Sequence, residues 1–353
     1  MAPTDRPGLD AEGLKLLAVA QALLKKTVYA LPEPDFDPLD AAPERLVAYG
    51  LPPRPPPGTE AFDAWTRLFT PPPDGKLTFL PAGVPELTPD WLIDGYLLDR
   101  PGTPRATGRA ESSRNWSGVY IATNGQGRFK QTFGAWTVPQ VSPPTPGIDG
   151  DYRCSTWTGL DGHRRHSLSM PQLGTTQKVK VVSGTAQPHT EEAWWQWWLR
   201  GFRFPPFPFP GFQVAAGQTV QCSLTILSPG LVLFVIRNAA TGAVGRIKSE
   251  SPGIGDLVRW GVRGVAAEWI TERPTDIFSA VVYPLPNYGT VTYRGCTAIV
   301  EQPTPAGPAP VARDLSGARK IRMVAERARP ARSAVISVAH KISDTMATTD
   351  YKP

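Results

Sequence analysis

Short runs of alternating apolar and polar residues fill the chain from about residue 115 to its C-terminus. Three clear runs are KVKVVSG at residues 178–184, TVQCSLTIL at 219–227 and LVLFVIRNAATGAVGRI at 231–247. Turn residues separate such runs about every eight to twelve positions, a spacing typical of β-sandwiches and barrels. The pattern therefore predicts an all-β fold over this part of the chain.

Three local features refine this prediction. In GVYIATNGQGRFKQTFGAWTVP, the pair Asn124 and Gly125 is suited to the tight turn of a β-hairpin. The segment NAATG at 238–242 is expected to join two strands in the same way. The tail from residue 317 is basic, but KIRMV, SAVISVAH and MATTDY alternate well enough to be strands, so the tail belongs to the domain.

The first 110 residues have a different pattern. Over 30–110, proline-rich pieces such as LPEPDFDP and GLPPRPPPG alternate with short apolar pieces, which predicts no regular core of its own. Residues from about 10 to 26 indicate an amphipathic helix rather than a secretory signal, because acidic residues precede LLAVAQALLKK and no cleavage pattern follows. We therefore divide the chain into an extension, 1–110, and a β-sandwich domain, 111–353.

Composition narrows the class of protein further. The 40 prolines and 33 glycines argue against long helices through most of the chain. No apolar run approaches the roughly 18 residues that a membrane span needs, so we expect no membrane association. Cys154, Cys222 and Cys296 allow at most one internal disulfide with one thiol left over, and no Cys/His cluster has the spacing of a zinc site.

Charge is divided unevenly between the two parts. Residues 1–110 hold 11 basic and 15 acidic residues, a net charge of −4, and the remainder holds 26 and 16, a net charge of +10. The basic residues are scattered rather than clustered, which argues against nucleic-acid binding. An acidic pro-segment on a basic mature domain is the alternative that we favour.

The stretch AAEWITERP at 266–274 places two acids within a run of strand-forming residues. In a strand, Glu268, Ile270 and Glu272 share one face, while Trp269 and Thr271 share the other. If the first face lines a cleft, Glu272 projects into the cleft while Trp269 helps to fill the core. Taken alone, the two acids could equally be a pair of edge-strand charges that face water.

Six motifs follow one another in the domain: NWSG at 115–118, WTVP at 136–139, WTGLDG at 157–162, PQLG at 171–174, EAWWQWW at 192–198 and AEWITE at 267–272. Each is weak alone, but in this order they resemble the glutamic peptidases, or eqolisins. The resemblance covers about residues 113–351. It implies a sandwich of two large, curved antiparallel sheets of the concanavalin A-like kind, with the first hundred or so residues unmatched.

The resemblance also implies an activity and its residues. By motif position the catalytic pair is Glu272 and Gln172, which implies an acid endopeptidase that needs no cofactor and no metal. Substrate-binding residues would be Trp157, Asp161, Trp194, Gln196 and Glu268. The expected partner is a protein or peptide substrate. The family is typically secreted, although this N-terminus has no recognisable signal, and we expect a monomer.

Two features depart from the family pattern. The family usually has an acid where this chain has Gln196, and alternation puts Trp194, Gln196 and Trp198 on one face of their strand. The insertion GFRFPPFPFPGF at 201–212 is either a stiff aromatic flap over the cleft or a surface loop that packs on Trp197 or its neighbours.

For Asp161, stabilisation of the GLDG turn is an alternative to a role in the cleft.

Other functions remain open at this level. A tryptophan-lined sandwich could be a carbohydrate-binding, lectin-like module. Glycoside hydrolysis could use Glu272 with Glu192 or Glu268 as a second carboxylate. His163, His166 and His189 could be proposed as zinc ligands, but the two arginines in HRRH raise the local positive charge and no acid is spaced to orient an imidazole.

Overall fold

The computed structural model describes residues 11–24, 29–73, 75–81, 86–101, 105–107, 110–163, 167–200, 204–251, 260–325 and 334–353. Four helices lie in the extension: α1 Ala11–Leu24, α2 Pro43–Ala48, α3 Glu60–Phe69 and α4 Pro89–Ile93. Helix α1 confirms the helix predicted near the N-terminus, and two of the short helices begin at threonine caps, Thr59 for α3 and Thr88 for α4.

Strands are the most abundant regular elements, with 46% of the structure against 11% in helices. The strands of the extension and its junction are β1 Thr78–Phe79, β2 Tyr96–Leu97, β3 Arg105–Thr107 and β4 Ala110–Ser113. Those of the domain up to residue 250 are β5 Trp116–Ala122, β6 Arg128–Thr137, β7 Gly150–Leu160, β8 Ser169–Val182, β9 Thr185–Ala186, β10 Thr190–Leu199, β11 Phe207–Pro208, β12 Thr219–Ser228, β13 Leu231–Asn238 and β14 Ala243–Glu250. The remaining strands are β15 Ala266–Glu272, β16 Thr275–Asp276, β17 Thr290–Gln302, β18 Ala309–Arg313, β19 Arg319–Val324, β20 Val335–Lys341 and β21 Met346–Tyr351.

Of these strands, β2 and β16 pair as a separate two-stranded sheet, and the other 19 form one hydrogen-bonded sheet that folds back on itself into two layers. The first layer has the order β10, β8, β7, β15, β5, and the second has the order β17, β6, β12, β13, β14. Strands β19, β20 and β21 connect β5 to β17 along one side. The two layers pack face to face, with β12 and β13 against β7 and β8. The predicted β-sandwich is confirmed.

Apolar side chains from both layers fill the space between them. Trp136 from the second layer and Trp195, Trp197 and Trp269 from the first are buried in this core. The Trp269 indole also donates to the carbonyl of Phe133 across the layers, at 2.7 Å. Alternation along each strand then sends the remaining side chains of the first layer to its outer face. We call this outer face the cleft face.

The cleft face carries most of the residues that the motifs identify. By strand register its members are Trp116, Gly118, Tyr120, Ser155, Trp157, Gly159, Gln172, Gly174, Thr176, Glu192, Trp194, Gln196, Trp198, Glu268, Ile270 and Glu272. Gly174 is required by close packing, since a Cβ there would lie 2.2 Å from the carbonyl oxygen of Thr156. The prediction for the WWQWW strand is confirmed, because Trp194 and Trp198 lie on this face and Trp195 and Trp197 in the core.

One predicted hairpin is wrong and another is confirmed. Asn124 and Gly125 do form a turn with positive φ angles of 50° and 85°. The strands on either side of it, β5 and β6, nevertheless belong to different layers, so the turn is a crossover between layers rather than a hairpin. The NAATG segment does join the paired strands β13 and β14, and the tail supplies β19, β20 and β21.

The extension lies on the sandwich. Trp65, Leu68 and Phe69 of α3 pack on Phe133 and Leu233, on the outer face of the second layer. The buried Arg246 guanidinium donates to the carbonyls of Tyr49 and Ala30, and Arg237 donates to that of Arg67. Arginines of the domain therefore hold the backbone of the extension directly.

The insertion at 201–212 also packs on the sandwich. Strand β11 pairs with Trp194 and Trp195 at the edge of the first layer. The Phe207 ring stacks on Trp195 with ring centroids 4.8 Å apart, and Phe209 and Phe212 are buried in the main core. The described part of the insertion is thus a packed edge element rather than a flap, and its partner is Trp195 rather than Trp197.

Cys154, Cys222 and Cys296 are buried and free, so no disulfide joins them. Among the described residues, the longest helix is too short to serve as an apolar membrane span.

Replacing Arg246 tests how the extension is held. In Arg246→Met the carbonyls of Tyr49 and Ala30 lose this donor, and each hydrogen bond lost at these partly exposed residues costs about 0.5–1.5 kcal/mol. We expect faster subtilisin cleavage within residues 29–80 and a lower melting temperature. The control Arg45→Met removes an exposed ion pair with Glu33 and should change neither. Equal digestion rates for the two variants would contradict this account.

Candidate active site

Strand β15 positions two acids on the cleft face. Glu268 and Glu272 point to the cleft face with Ile270 between them, while Trp269 points into the core, as the alternation of AAEWITERP predicts. Both glutamates are fully buried. Because β15 is flanked by β5 and β7, its backbone groups are paired on both sides and the acids are held on a central strand.

Gln172 lies on the same face, on β8. It pairs with Gly159 of β7, whereas Glu272 pairs with Ser155 of β7. The two predicted catalytic residues are therefore two strands apart and four residues apart along β7. The Trp157 side chain lies between them on that strand. Both residues face the same cleft, which the catalytic hypothesis requires.

The Glu272 carboxylate is surrounded by donors. Its Oε1 accepts from the backbone N–H of Asp99 at 2.9 Å and from the Asn115 side-chain amide at 3.3 Å. Its Oε2 accepts from the Trp157 indole at 3.0 Å. Burial nevertheless raises the pKa of Glu272 well above its ordinary value, because desolvation outweighs these hydrogen bonds, and the nearby Asp99 charge acts in the same direction.

Glu268 lies beside Gln172, since both pair with Gly159 from opposite sides. Its Oε1 accepts from the backbone N–H of His163 at 3.1 Å, but its Oε2 has no hydrogen-bond partner, and neither does Oε1 of Gln172. Burial raises the pKa of Glu268 well above its ordinary value, and the charge of Asp161 adds to the effect. A protonated Glu268 carboxyl carries an O–H donor, whereas its ionised form has only acceptors.

Asp161 makes its contacts inside the protein. Its carboxylate accepts from the backbone N–H groups of Arg263, Gly264 and Val265 at 2.6–2.9 Å. Burial raises its pKa despite these bonds. Because all three donors belong to the loop at 263–265, the carboxylate holds that loop in place rather than the GLDG turn. Substrate binding by Asp161 stays a prediction.

Aromatic rings cover the rest of the cleft face. Trp157 and Trp194 are buried there together with Trp116, and the Trp116 and Trp157 rings meet edge to face at 4.9 Å. Gln196 lies beside Gln172 and accepts from its side-chain NH₂ at 2.7 Å. The structure thus brings the predicted residues Trp157, Trp194 and Gln196 together around the pair.

A segment of the extension, Asp94–Pro101, crosses this face. The Tyr96 hydroxyl contacts Thr176 Oγ1 at 2.7 Å and Glu192 Oε1 at 2.6 Å. Leu98 is completely buried among Trp157, Trp194 and the other apolar residues of the cleft face. The Asp99 carbonyl accepts from the Trp116 indole at 2.8 Å and from Asn115 at 3.2 Å. A stretch of peptide therefore occupies the cleft and reaches Glu272.

Sequence reasoning missed three residues of this arrangement. Asn115 contacts Glu272, and its place in NWSG was the signal that could have identified it. Tyr96 and Asp99 have no such signal, because their contacts are with Glu192 and Glu272, about a hundred or more positions further along the chain. Only folding of the extension onto the domain reveals them.

Among the described residues, no group of three or more His, Cys, Asp or Glu side chains could hold a metal ion. His163 instead contacts Glu111 at 2.6 Å, and His189 contacts Glu191 at 2.5 Å. His166, the third histidine of the zinc alternative, lies outside the described residues. The chemistry available at the site is that of carboxyl groups, amides and indoles.

Comparisons with known proteins show what this chain is similar to. The model of the Peptidase A4 family matches residues 114–345. A solved scytalido-glutamic peptidase with a transition state analog inhibitor is 18% identical, with a TM-score of 0.49, over 68% of this chain and 98% of that chain. SCP-B, an eqolisin solved with the tripeptide Ala-Ile-His, is 16% identical with a TM-score of 0.47 over the same shares. Aspergilloglutamic peptidase from Aspergillus niger is 19% identical with a TM-score of 0.42, over 57% of this chain and 99% of that chain. No curated protein matches the chain.

The family match covers well over half of the chain, so this protein belongs to the Peptidase A4 family, the eqolisins. It is a glutamic-type peptidase, that is, a peptide hydrolase. The lectin-like and glycoside hydrolase alternatives are therefore not supported.

The buried glutamates predict how stability changes with pH. Because the pKa values of Glu268 and Glu272 are raised on folding, the folded chain holds protons that the unfolded chain releases above about pH 4.3. Stability should then fall as the pH rises from about 4.3 towards 7. Glu268→Gln should weaken this fall, and at pH 7 its melting temperature should exceed that of the wild type by about 2 °C or more.

Glu111→Gln is a control for which the opposite change in stability is expected. Hydrogen bonds from His163 and Tyr120 outweigh desolvation and lower the pKa of Glu111, so its contribution is present above about pH 4.3 and is lost as the pH falls. This variant should lose stability at pH 7 rather than gain it. Melting curves from pH 4 to pH 7 test both expectations, and parallel curves for wild type and Glu268→Gln would contradict the assignment.

Proposed function

We propose that this peptidase is an acid endopeptidase in which Glu272 activates the attacking water and Gln172 stabilises the tetrahedral intermediate. One observation carries the proposal: a peptide segment lies across the cleft face, and the backbone N–H of its Asp99 donates to Glu272 at 2.9 Å. A general acid must reach the nitrogen of the bond that breaks. The covering segment places a peptide nitrogen within that reach.

The proposed role of Glu272 has two steps. Ionised Glu272 first takes a proton from water as the water attacks the peptide carbonyl. The same carboxyl then returns the proton to the leaving amine, so one side chain serves as base and acid. Asn115 and the Trp157 indole orient the carboxylate by donating to its two oxygens.

Gln172 supplies donors that do not titrate. Its NH₂ carries two N–H groups, which suit the negative oxygen of the intermediate at any pH, and its carbonyl can accept from the attacking water. The site then has one titrating group where a pair of carboxyl groups would have two. In the covered cleft burial keeps the pKa of Glu272 high. Exposure to water returns it towards about 4.3, which suits acidic conditions.

The activity test compares four chains, the wild type and three variants, at about pH 3–4 on casein or haemoglobin. Glu272→Gln should reduce kcat by about a thousand-fold, since it removes the only base and acid of the mechanism. Gln172→Ala should reduce kcat by about a hundred-fold or more, the usual effect of losing an oxyanion donor. The control Gln221→Ala changes an amide on the second layer and should retain wild-type rates. Equal rates in all four chains would reject the mechanism.

The extension, residues 1–110, fits a pro-segment in this proposal. Its segment Asp94–Pro101 fills the cleft face and takes the hydrogen bonds of Glu272, so substrate cannot enter while the segment is bound. Release of the segment must break the hydrogen bond between the Tyr96 hydroxyl and Glu192. A secreted, monomeric enzyme that becomes active outside the cell is the setting that we propose.

Acid incubation of the purified chain tests the pro-segment. At about pH 3–4 we expect cleavage between roughly residues 70 and 112, followed by activity. Tyr96→Phe should shorten the lag before activity, because the contacts with Glu192 and Thr176 are lost. The control Tyr49→Phe removes a hydroxyl that contacts Glu33 elsewhere on the extension and should leave the lag unchanged. A fully active, intact 353-residue chain would exclude a pro-segment.

A further inference from the structure

The two glutamines of the cleft face form a short chain of hydrogen bonds. Gln172 and Gln196 are paired on neighbouring strands, and both are buried. The Gln172 side-chain NH₂ donates to Gln196 Oε1 at 2.7 Å. The Gln196 NH₂ in turn donates to the backbone carbonyl of Phe204 at 2.9 Å. The chain thus begins at a backbone group and ends at the proposed catalytic amide.

The backbone carbonyl sets the direction of both amides. A carbonyl oxygen can only accept, so the Gln196 NH₂ must face Phe204 and its own carbonyl must face Gln172. Gln172 must then turn its NH₂ towards Gln196. Without such a partner an amide can flip, because its oxygen and nitrogen ends have the same shape. This orientation of Gln172 pairs its NH₂ with Gln196 and leaves its own Oε1 without a hydrogen-bond partner.

The insertion holds the carbonyl that starts this chain. Three residues after Phe204, Phe207 stacks between Trp195 and Trp91, with centroid distances of 4.8 and 5.3 Å. Strand β11 pairs with Trp194 and Trp195, the residues next to Gln196. The Phe204 carbonyl is therefore carried by a packed edge element rather than by a free loop.

We infer that Gln196 and the Phe204 carbonyl act as a positioning relay, which fixes the direction of the Gln172 amide independently of pH. This inference rests on the proposed role of Gln172 and gives the insertion a function. It also replaces the prediction that Gln196 binds substrate. The family's usual acid at this position has no N–H, so it can donate to a carbonyl only while it is protonated.

Gln196→Glu tests the relay through its pH dependence. At about pH 3.5 the new carboxyl is protonated, has nearly the shape of the amide and can still donate to Phe204. At higher pH the ionised carboxylate can only accept hydrogen bonds, so two acceptors, the carboxylate and the Phe204 carbonyl, face each other. We expect kcat close to wild type at pH 3.5 and a loss of about tenfold or more by pH 6 relative to wild type, with KM little changed.

Two further chains complete the experiment. Gln221→Glu introduces an acid at another glutamine, where Arg237 is the partner, and its pH profile should match that of the wild type. Gln196→Leu leaves the Gln172 NH₂ and the Phe204 carbonyl without partners, so kcat should be reduced at every pH. Rates are measured after acid activation of the full chain, from pH 3 to pH 6.5, on one peptide substrate.

Melting curves give a second readout that needs no activity. The melting temperature of Gln196→Glu should equal that of the wild type near pH 3.5 and fall below it progressively up to pH 6.5, because an ionised carboxyl would face Phe204. If Gln196→Glu and the wild type had the same pH profile of kcat and the same melting curves, the relay would be overturned. An inactive wild type, or a fully active Glu272→Gln, would instead count against the proposed function, and the melting curves would still decide the relay.

Discussion

Burial of Glu272 on a central strand is the constraint on which the rest of the site depends. A carboxyl group removed from water is costly unless donors surround it, and here the donors come from three separate places. Trp157 lies on the neighbouring strand, Asn115 lies just before β5, and Asp99 belongs to the extension. In the covered form the buried acid therefore takes its partners from both the sandwich and the extension.

The same constraint explains how the cleft face is built. The hydrogen-bond donors to Glu272 are neutral groups, which donate without supplying a full charge. They are the Trp157 indole, the Asn115 side-chain amide and the Asp99 backbone amide. Arginines serve elsewhere: Arg246 and Arg237 hold carbonyls of the extension on the opposite layer, away from the proposed catalytic carboxyl.

The extension and the insertion reach the cleft face from different directions and do different work there. Asp94–Pro101 places a peptide on the cleft face, where Asp99 donates to Glu272 and Tyr96 contacts Glu192. The insertion supplies a backbone carbonyl to Gln196 and touches the segment as well, since a Cβ on Gly95 would lie 2.6 Å from Pro205. The segment proposed to leave the cleft and the insertion proposed to align Gln172 are therefore in contact, through Gly95 and Pro205.

Alternation was enough to place individual side chains on faces. The two-residue period of AAEWITERP separates Glu268 and Glu272 from Trp269, and that of WWQWW separates Gln196 from Trp195 and Trp197, because successive side chains of a strand point to opposite sides. The order of six motifs was enough to identify the family. Side-chain alternation and motif order are both read along the chain, so they can be used without knowing which strands pair.

Pairing between layers was decided only by the tertiary structure. Asn124 and Gly125 form a turn, but whether it closes a hairpin or crosses between layers depends on partners more than a hundred residues away, Glu268 for one strand and Thr297 for the other. Partners distant in sequence also explain two other contacts. The Asp161 carboxylate accepts from backbone N–H groups of residues 263–265, and the backbone N–H of Asp99 donates to Glu272. The sequence alone determined the strands, their faces and the family. The tertiary structure decided what each buried polar group meets, because a buried carboxyl or amide takes its partner from whichever distant segment folding brings to it.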